Sequence, residues 1–364
     1  MMITNSDDAN TTAPTSLAGG EAGASVEPRI LTVTVAHDSS DVIYEHLKSL
    51  IASTDFSWSR HIIVDNSADE RCRQIVLQVQ EEFPSRFIRY LALDGNPGYG
   101  TGVNLGLRMR TSEEYVFISN PDSVVSGSSR LSDLVAVAEE WPDAAAVLPD
   151  VLHPQYGRPV VRRRLPTPLT YSGWVAGTWL RARFLKSAPG AADDDPEPVN
   201  AGDGSALLLS PGALNELGGF DSRFFLFMED TDLWKRIGDA GLQVIQVRNC
   251  TVLHVGAGSS SVFGKTNIEM AALSARGIYF EKFYGRKGLA IFLLQMVPEA
   301  VVIAVVRAMR NRDFRYLLDI RKMFVLALAM WTQGPVGAQD LMVRPLFGST
   351  SQVEEPGMGL SSRQ

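Results

Sequence analysis

Between residues 29 and 119, four apolar runs each stop at a polar or acidic residue, and this pattern constrains the fold more than any other feature. Arg29–Ala36 runs into His37-Asp38, His61–Val64 into Asp65-Asn66-Ser67, Phe87–Leu93 into a glycine-rich stretch, and Tyr115–Ser119 into Asn120-Pro121-Asp122. The β-branched content of these runs predicts strands. Helical spacing at Val42, Leu47, Leu50 and Ile51, and again in the segment ending near Gln80, predicts helices between them. Strands alternating with helices imply an α/β chain with a Rossmann-like, mostly parallel sheet flanked by helices and right-handed crossovers. In such a sheet the carboxyl ends of the strands lie along one edge, where ligands bind.

The fourth run, "FISNPDSVV", shows why that edge matters. Pro121 cannot donate to a sheet ladder and turns Asn120 away from helical geometry, so the strand ends there and presents Asp122. Taken alone, Asn-Pro-Asp is equally an ordinary Asx-type turn. The glycine-rich "DGNPGYGTGVNLGL", residues 94–107, has neither the Gly-Lys-Ser/Thr of a P-loop nor a spaced dinucleotide fingerprint. It predicts a tight turn at Asn96-Pro97-Gly98 and a helix from about Gly102 that carries Asn104.

Farther along, "GGFDSRFFLFMEDTDLW" sets Glu229 and Asp230 behind the apolar Phe224, Phe225, Leu226, Phe227 and Met228. A carboxyl held against a poorly hydrated wall has a raised pKa and is fitted for general-base work. Asp232 is expected to cap the helix that follows, with Leu233 and Ile237 on one side and Gly241 as the stop. His254 ends a second of two short strands, 244–247 and 251–254, ahead of the polar loop Val255–Ser261. With Asp122 it can bind a divalent cation that bridges a diphosphate.

Composition narrows the class. The chain has 364 residues, 45% of them apolar, and a net charge of −7. Its basic residues are scattered except at Arg162-Arg163-Arg164 and between Arg307 and Lys322, which argues against a nucleic-acid binder. Cys72 and Cys250 form no zinc or disulfide framework. Residues 1–28 lack an apolar segment and a basic leader, so a disordered tail inside the cell is expected. Residues 150–200 read as long loops around a short helix. From Gly288 to about Met330 the runs "GLAIFLLQMVPEAVVIAVV" and "MFVLALAMW" flank an arginine-rich stretch. Gln295, Pro298 and Glu299 interrupt the first run, so we expect helices lying on the cytoplasmic membrane surface, with a soluble hairpin or a homodimer contact as the alternative.

The ordered set "VDNSADE", "GNPGYGTGVNLGL", "FISNPDSVV", "GGFDSRFFLFMEDTDLWKRI" and "VLHVGAGSSS" resembles family 2 glycosyltransferases, the inverting GT-A enzymes, and most of all their rhamnosyltransferase-like branch acting on lipid-linked precursors of bacterial cell wall and O-antigen. The resemblance covers residues 29–285 as a GT-A domain. Residues 286–345 are then a C-terminal apolar helical extension associated with the membrane, and residues 346–364 a flexible tail.

The resemblance implies that Ala36, Asp38 and Asp65 hold the base and ribose of a nucleotide, and that Asn96, Gly98, Gly100, Asn104 and Asn120 line the donor pocket. Asp122, with His254, is implied as a ligand of Mg²⁺ or Mn²⁺, Asp230 as the general base, and Glu229 as its catalytic neighbour. Arg162, Arg163, Arg164 and Trp234 are candidate acceptor contacts. The implied donor is dTDP-L-rhamnose, or else UDP-galactofuranose or another UDP-sugar, and the implied acceptor is a polyprenyl-diphosphate-linked glycan. The implied location is cytoplasmic, peripheral on the inner face of the cell membrane. The chain departs from the family pattern at Asn120, a neutral amide where the family's Asp-x-Asp has an acid, and at Ala36-His37-Asp38, where Tyr-Asn is common. A nucleotidyltransferase and a non-catalytic sugar-nucleotide-binding protein are the readings from other classes.

Overall fold

A computed structural model of the chain describes residues 29–54, 59–67, 69–154, 165–168, 196–256, 265–312 and 316–348. The predicted strands form as β1 (Ile30–Ala36), β2 (Ser59–Asp65), β3 (Phe87–Ala92) and β4 (Tyr115–Ser119). Between them run α1 (Ile43–Ser53), α2 (Glu70–Glu82) and α3 (Tyr99–Leu107). The sequence reading does not single out β5 (Ser123–Val125), α4 (Leu131–Glu140), β6 (Ala144–Leu152) or β7 (Glu197–Val199). β8 (Ala206–Leu209), α5 (Pro211–Leu217) and α6 (Glu229–Asp239) follow. The two short strands expected at 244–254 are one strand, β9 (Gln243–His254), whose irregular register against β6 falls between them.

The nine-stranded sheet has the order β3-β2-β1-β4-β8-β6-β9-β5, with β7 paired to β9. β1 is parallel to β2 and β4, β2 to β3, and β6 to β9, while β8 runs antiparallel between β4 and β6. Strands β1 and β4 are buried along their whole length, as a sheet covered on both faces requires.

Two long helices complete the chain: α7 (Lys265–Asn311), broken at Gly285, and α8 (Tyr316–Met342), broken at Gly334. Their inner faces share one core with Phe224, Phe225 and Met228 of the segment before α6. The short 3₁₀ turn Arg344–Phe347 closes that core, with the Phe347 ring 5.5 Å from that of Phe225. Their outer faces expose Leu294, Val306, Met309, Leu318 and Leu328.

Close backbone approach ties the helical extension to the sheet edge. Tyr99 N–H donates to the Phe225 carbonyl at 3.0 Å. A Cβ on Gly98, whose φ is +102°, would lie 2.4 Å from that same oxygen. Gly98→Ala is therefore expected to destabilise the protein by about 2–4 kcal/mol through overpacking and left-handed strain. Equilibrium urea unfolding checks this; an unchanged midpoint removes the contact's importance.

Candidate active site

The sheet register assembles one group of polar side chains. β5 pairs antiparallel with β9, setting Ser123 opposite His254, so Asp122 falls beside that histidine. Asp122 Oδ1 is 3.1 Å from His254 Nε2. β6 runs parallel to β9 with Leu152 opposite Leu253, which carries the next residue, His153, alongside His254, their ring centroids 4.8 Å apart. β8 pairs with β4 at Ser119 and Ala206, and Asn120 N–H donates to Ser205 O at 2.8 Å, so Asp203 arrives at the same edge. His153 Nε2 is 2.8 Å from Asp203 Oδ2.

His153, Asp203 and His254 offer ligand atoms that all lie within 4.8 Å of one another, and Asp122 joins them through His254. Mixed imidazole and carboxylate donors suit Mn²⁺, and the buried His254 Nδ1 has no hydrogen-bond partner among the described residues. Sequence reasoning named Asp122 and His254 but missed His153 and Asp203, which stand alone in unremarkable segments and meet only through strand pairing. Burial opposes protonation of His254, but the Asp122 carboxylate outweighs it and raises the pKa. Burial likewise raises the Asp203 carboxyl, and the Ser205 and His153 hydrogen bonds overcome it to leave a lowered pKa.

Asp230 reaches the same place. A Cβ on Gly204 would sit 2.7 Å from Asp230 Cβ and 2.9 Å from its Oδ2, so the base candidate lies against the residue next to Asp203. Asp230 Oδ1 accepts from Thr231 N–H at 2.6 Å and from its hydroxyl at 3.0 Å. The apolar wall acts on Glu229 instead. Only 9% exposed, Glu229 has its carboxyl pKa pushed up to about 8, first by burial and then by the Asp230 charge.

The other nominated residues divide by what they touch. Ala36 O accepts from Asn66 N–H at 2.8 Å, the N–H of the exposed Asp38 donates to Ser67 Oγ at 3.0 Å, and Asn66 Nδ2 donates to Asn96 Oδ1 at 3.3 Å. These cluster at the carboxyl ends of β1 and β2. The Asp65 carboxylate is fully buried and occupied by Ser67, Asp69 N–H and the Tyr90 hydroxyl, so it holds the turn and offers nothing to a ribose. Asn104 spends its amide on Phe220, donating to its carbonyl at 2.8 Å and accepting from its N–H at 2.9 Å. It clamps the loop before α6 and is not free to line a pocket. Gly100 packs on Phe220 and faces Glu229.

Two further expectations are corrected. Trp234 is 2% exposed within the sheet core, too buried to meet an acceptor. Asp232 does not cap α6: its buried carboxylate pairs with Arg236 at 2.7 Å and Lys282 at 2.5 Å. Lys282 also reaches Asp221 at 2.7 Å, binding α7 to the segment before α6. Arg162, Arg163, Arg164 and the loop 257–261 lie outside the described residues.

Residues 32–203 match glycosyl transferase family 2. N-acetylglucosaminyl-diphospho-decaprenol L-rhamnosyltransferase of Mycobacterium tuberculosis is 29% identical over 236 residues, 59% of this chain and 73% of that protein. The low-salt glycan biosynthesis hexosyltransferase Agl10 of Haloferax volcanii is 23% identical over 227 residues, 62% of this chain and 66% of that protein. The solved structure of GalNAc-T7 with UDP, GalNAc and Mn²⁺ superposes with a TM-score of 0.54 at 13% identity, over 83% of this chain and 57% of that one, a likeness of fold. The protein is a glycosyltransferase, similar over residues 32–203 to family 2 and built on an α/β, GT-A-like fold.

The raised pKa of Glu229 makes stability depend on pH. The folded state keeps a proton that the unfolded chain releases above about 4.5, so the associated stability is complete below that pH and is lost as pH rises through about 8. Glu229→Gln removes this slope. Thermal midpoints of both proteins between pH 5 and 9 should converge at the acid end and separate at the alkaline end in favour of the variant; parallel curves refute it.

Proposed function

We propose that the protein is an inverting glycosyltransferase that moves a sugar from a nucleotide diphosphate donor, dTDP-L-rhamnose, to a hydroxyl of a polyprenyl-diphosphate-linked glycan. The observation that carries this reading is the packing of Asp230 against Gly204, beside the His153–Asp203–His254 group. It sets a general base next to a site for the leaving diphosphate, as a single displacement needs. The mycobacterial relative, whose name gives the rhamnosyl group and a decaprenol-linked acceptor, supports the choice of donor and acceptor.

In this reading Asp230 takes the proton from the attacking acceptor hydroxyl. Its bonds from Thr231 fix the carboxylate's direction and leave Oδ2 on the Gly204 side. Asp122, Asp203, His153 and His254 would hold a Mg²⁺ or Mn²⁺ ion. When bound, that cation supplies positive charge to the nucleoside diphosphate as it leaves. Asp203 restores in space the acid that Asn120 lacks in the sequence. In this reading the strand-end edge with the exposed Asp38 beside the buried Asn66 and Asn96 receives the nucleoside.

In this reading the exposed apolar residues on the outer faces of α7 and α8 meet the cytoplasmic membrane surface, where a lipid-linked acceptor lies. The helix Thr266–Asn311 is long and apolar enough to cross a membrane, with 22% of its most apolar window buried, although Gly285 and Pro298 interrupt it. Replacing exposed Leu294, Met309 and Leu328 together with Glu should move the protein from the membrane to the soluble fraction on cell fractionation. Unchanged pelleting would place the contact elsewhere.

Asp230→Asn is expected to lower sugar transfer at least 10³-fold while leaving donor affinity within about twofold, as loss of a general base predicts. Nucleotide release measured over dTDP-rhamnose, UDP-galactofuranose and other sugar nucleotides, with acceptor extract, tests the donor. Full activity in the variant would remove the base assignment, and a rate unaffected by EDTA would remove the metal.

A further inference from the structure

Two polar atoms at the centre of the site take no part in the chemistry just described. The hydroxyl of Tyr99, the first residue of α3, and Oε2 of Glu229, the first residue of α6, are both buried and have no hydrogen-bond partner among the described residues. Buried polar groups ordinarily find partners, so two orphans in one region ask for a ligand that satisfies both. Neither position is accidental. Tyr99 is held by its backbone bond to Phe225 and by the edge of its ring on Phe220, at 6.3 Å between centroids. The adjoining Gly100 comes within contact of Glu229, a Cβ there lying 3.8 Å from Glu229 Cβ, so α3 and α6 meet at their amino-terminal ends.

The surroundings restrict what the ligand can be. The Tyr99 phenol is under the electrostatic influence of Glu229, Asp230, Asp122 and Asp203, which together with burial raise its pKa and keep it neutral. A neutral phenol donates one hydrogen bond and accepts others, and a carboxyl group supplies the same mixed capacity when protonated. Glu229 and Asp230 beside the phenol disfavour an anion there, so the diphosphate itself is a poor match for this pair. Of the donor's parts, the hydroxylated ring of the sugar offers neutral donors and acceptors in the required number.

Resting on the nucleotide-sugar reading above, we infer that Tyr99 and Glu229 form the subsite that hydrogen-bonds the hydroxyls of the transferred sugar and so sets which sugar nucleotide is accepted. A site built to bond a hydroxyl discriminates strongly, because an analogue lacking that hydroxyl leaves buried groups unpaired. Tyr99 and Glu229 act here as specificity residues, distinct from Asp230 as base.

The test compares binding of the bare nucleotide and the sugar nucleotide, with no acceptor present, by titration calorimetry in Mn²⁺. Wild type, Tyr99→Phe and Glu229→Gln are each titrated with dTDP and with dTDP-L-rhamnose, and with UDP and UDP-galactofuranose. Tyr99→Phe keeps the ring on Phe220 and Glu229→Gln keeps the side-chain shape, and thermal midpoints confirm that both fold. Each variant is expected to bind the wild type's preferred sugar nucleotide about tenfold more weakly, with affinity for the matching bare nucleotide within twofold. Variants that keep the wild-type gain from the sugar overturn this inference alone and leave the donor reading standing. A folded wild type that binds none of the four probes overturns the donor reading and the inference with it.

Discussion

Two consecutive non-glycine residues, Phe227 and Met228, hold left-handed backbone, with φ of 70° and 66°, at the entrance to the helix that carries Glu229 and Asp230. Such a pair costs free energy and persists only where surrounding contacts over-determine it. Those contacts come from three directions. Gly98 and Tyr99 press from the sheet edge, Asn104 fastens the loop at Phe220, and the carboxyl-terminal helices close the third side. Gln339, fully buried, donates to Arg223 O at 2.8 Å and faces Phe225 N–H, while Lys282 joins Asp221 to Asp232. The apolar wall of the segment is thus a wedge between the sheet edge and the helical extension, and its turn opens the helix that carries Glu229 and Asp230.

Those acids then divide by environment. Glu229, sealed from water and beside a second acid, favours its protonated form. Asp221 is pulled the other way: burial raises its carboxyl, and Arg223 and Lys282 overcome that to hold it far below the usual range. Asp203 is held ionised by hydrogen bonds instead of by a lysine. Near-identical carboxyl side chains therefore favour different charge states, separated by partners within a few ångströms.

The parallel half of the sheet was legible because each strand announces itself locally: a β-branched run, then a polar stop. The helix α6 was legible for the same reason, since its apolar wall and acidic start are contiguous. What local pattern cannot carry is partnership across the sheet. His153 follows a strand whose alanines disguise it, and Asp203 sits in a glycine-rich stretch, so their meeting depends on the β6–β9 and β4–β8 registers. Burial was equally opaque. Asp65 and Asn104 look like ligands in the sequence, yet both are consumed by neighbours, and Trp234 looks available but is core. The long helices read as apolar, but their inward role, holding Arg223 and Phe225 through Gln339, had no sequence signature.

That last contact sets an order on the birth of the protein. A ribosome delivers the sheet, both histidines and Asp230 well before it delivers Gln339 and Arg344, which reaches the Pro97 carbonyl at 3.4 Å. The nascent chain therefore carries the Phe224–Met228 wedge while its contacts with the extension are still missing. The contacts that brace the wedge arrive with α8, by which time the apolar outer face of α7 has already emerged.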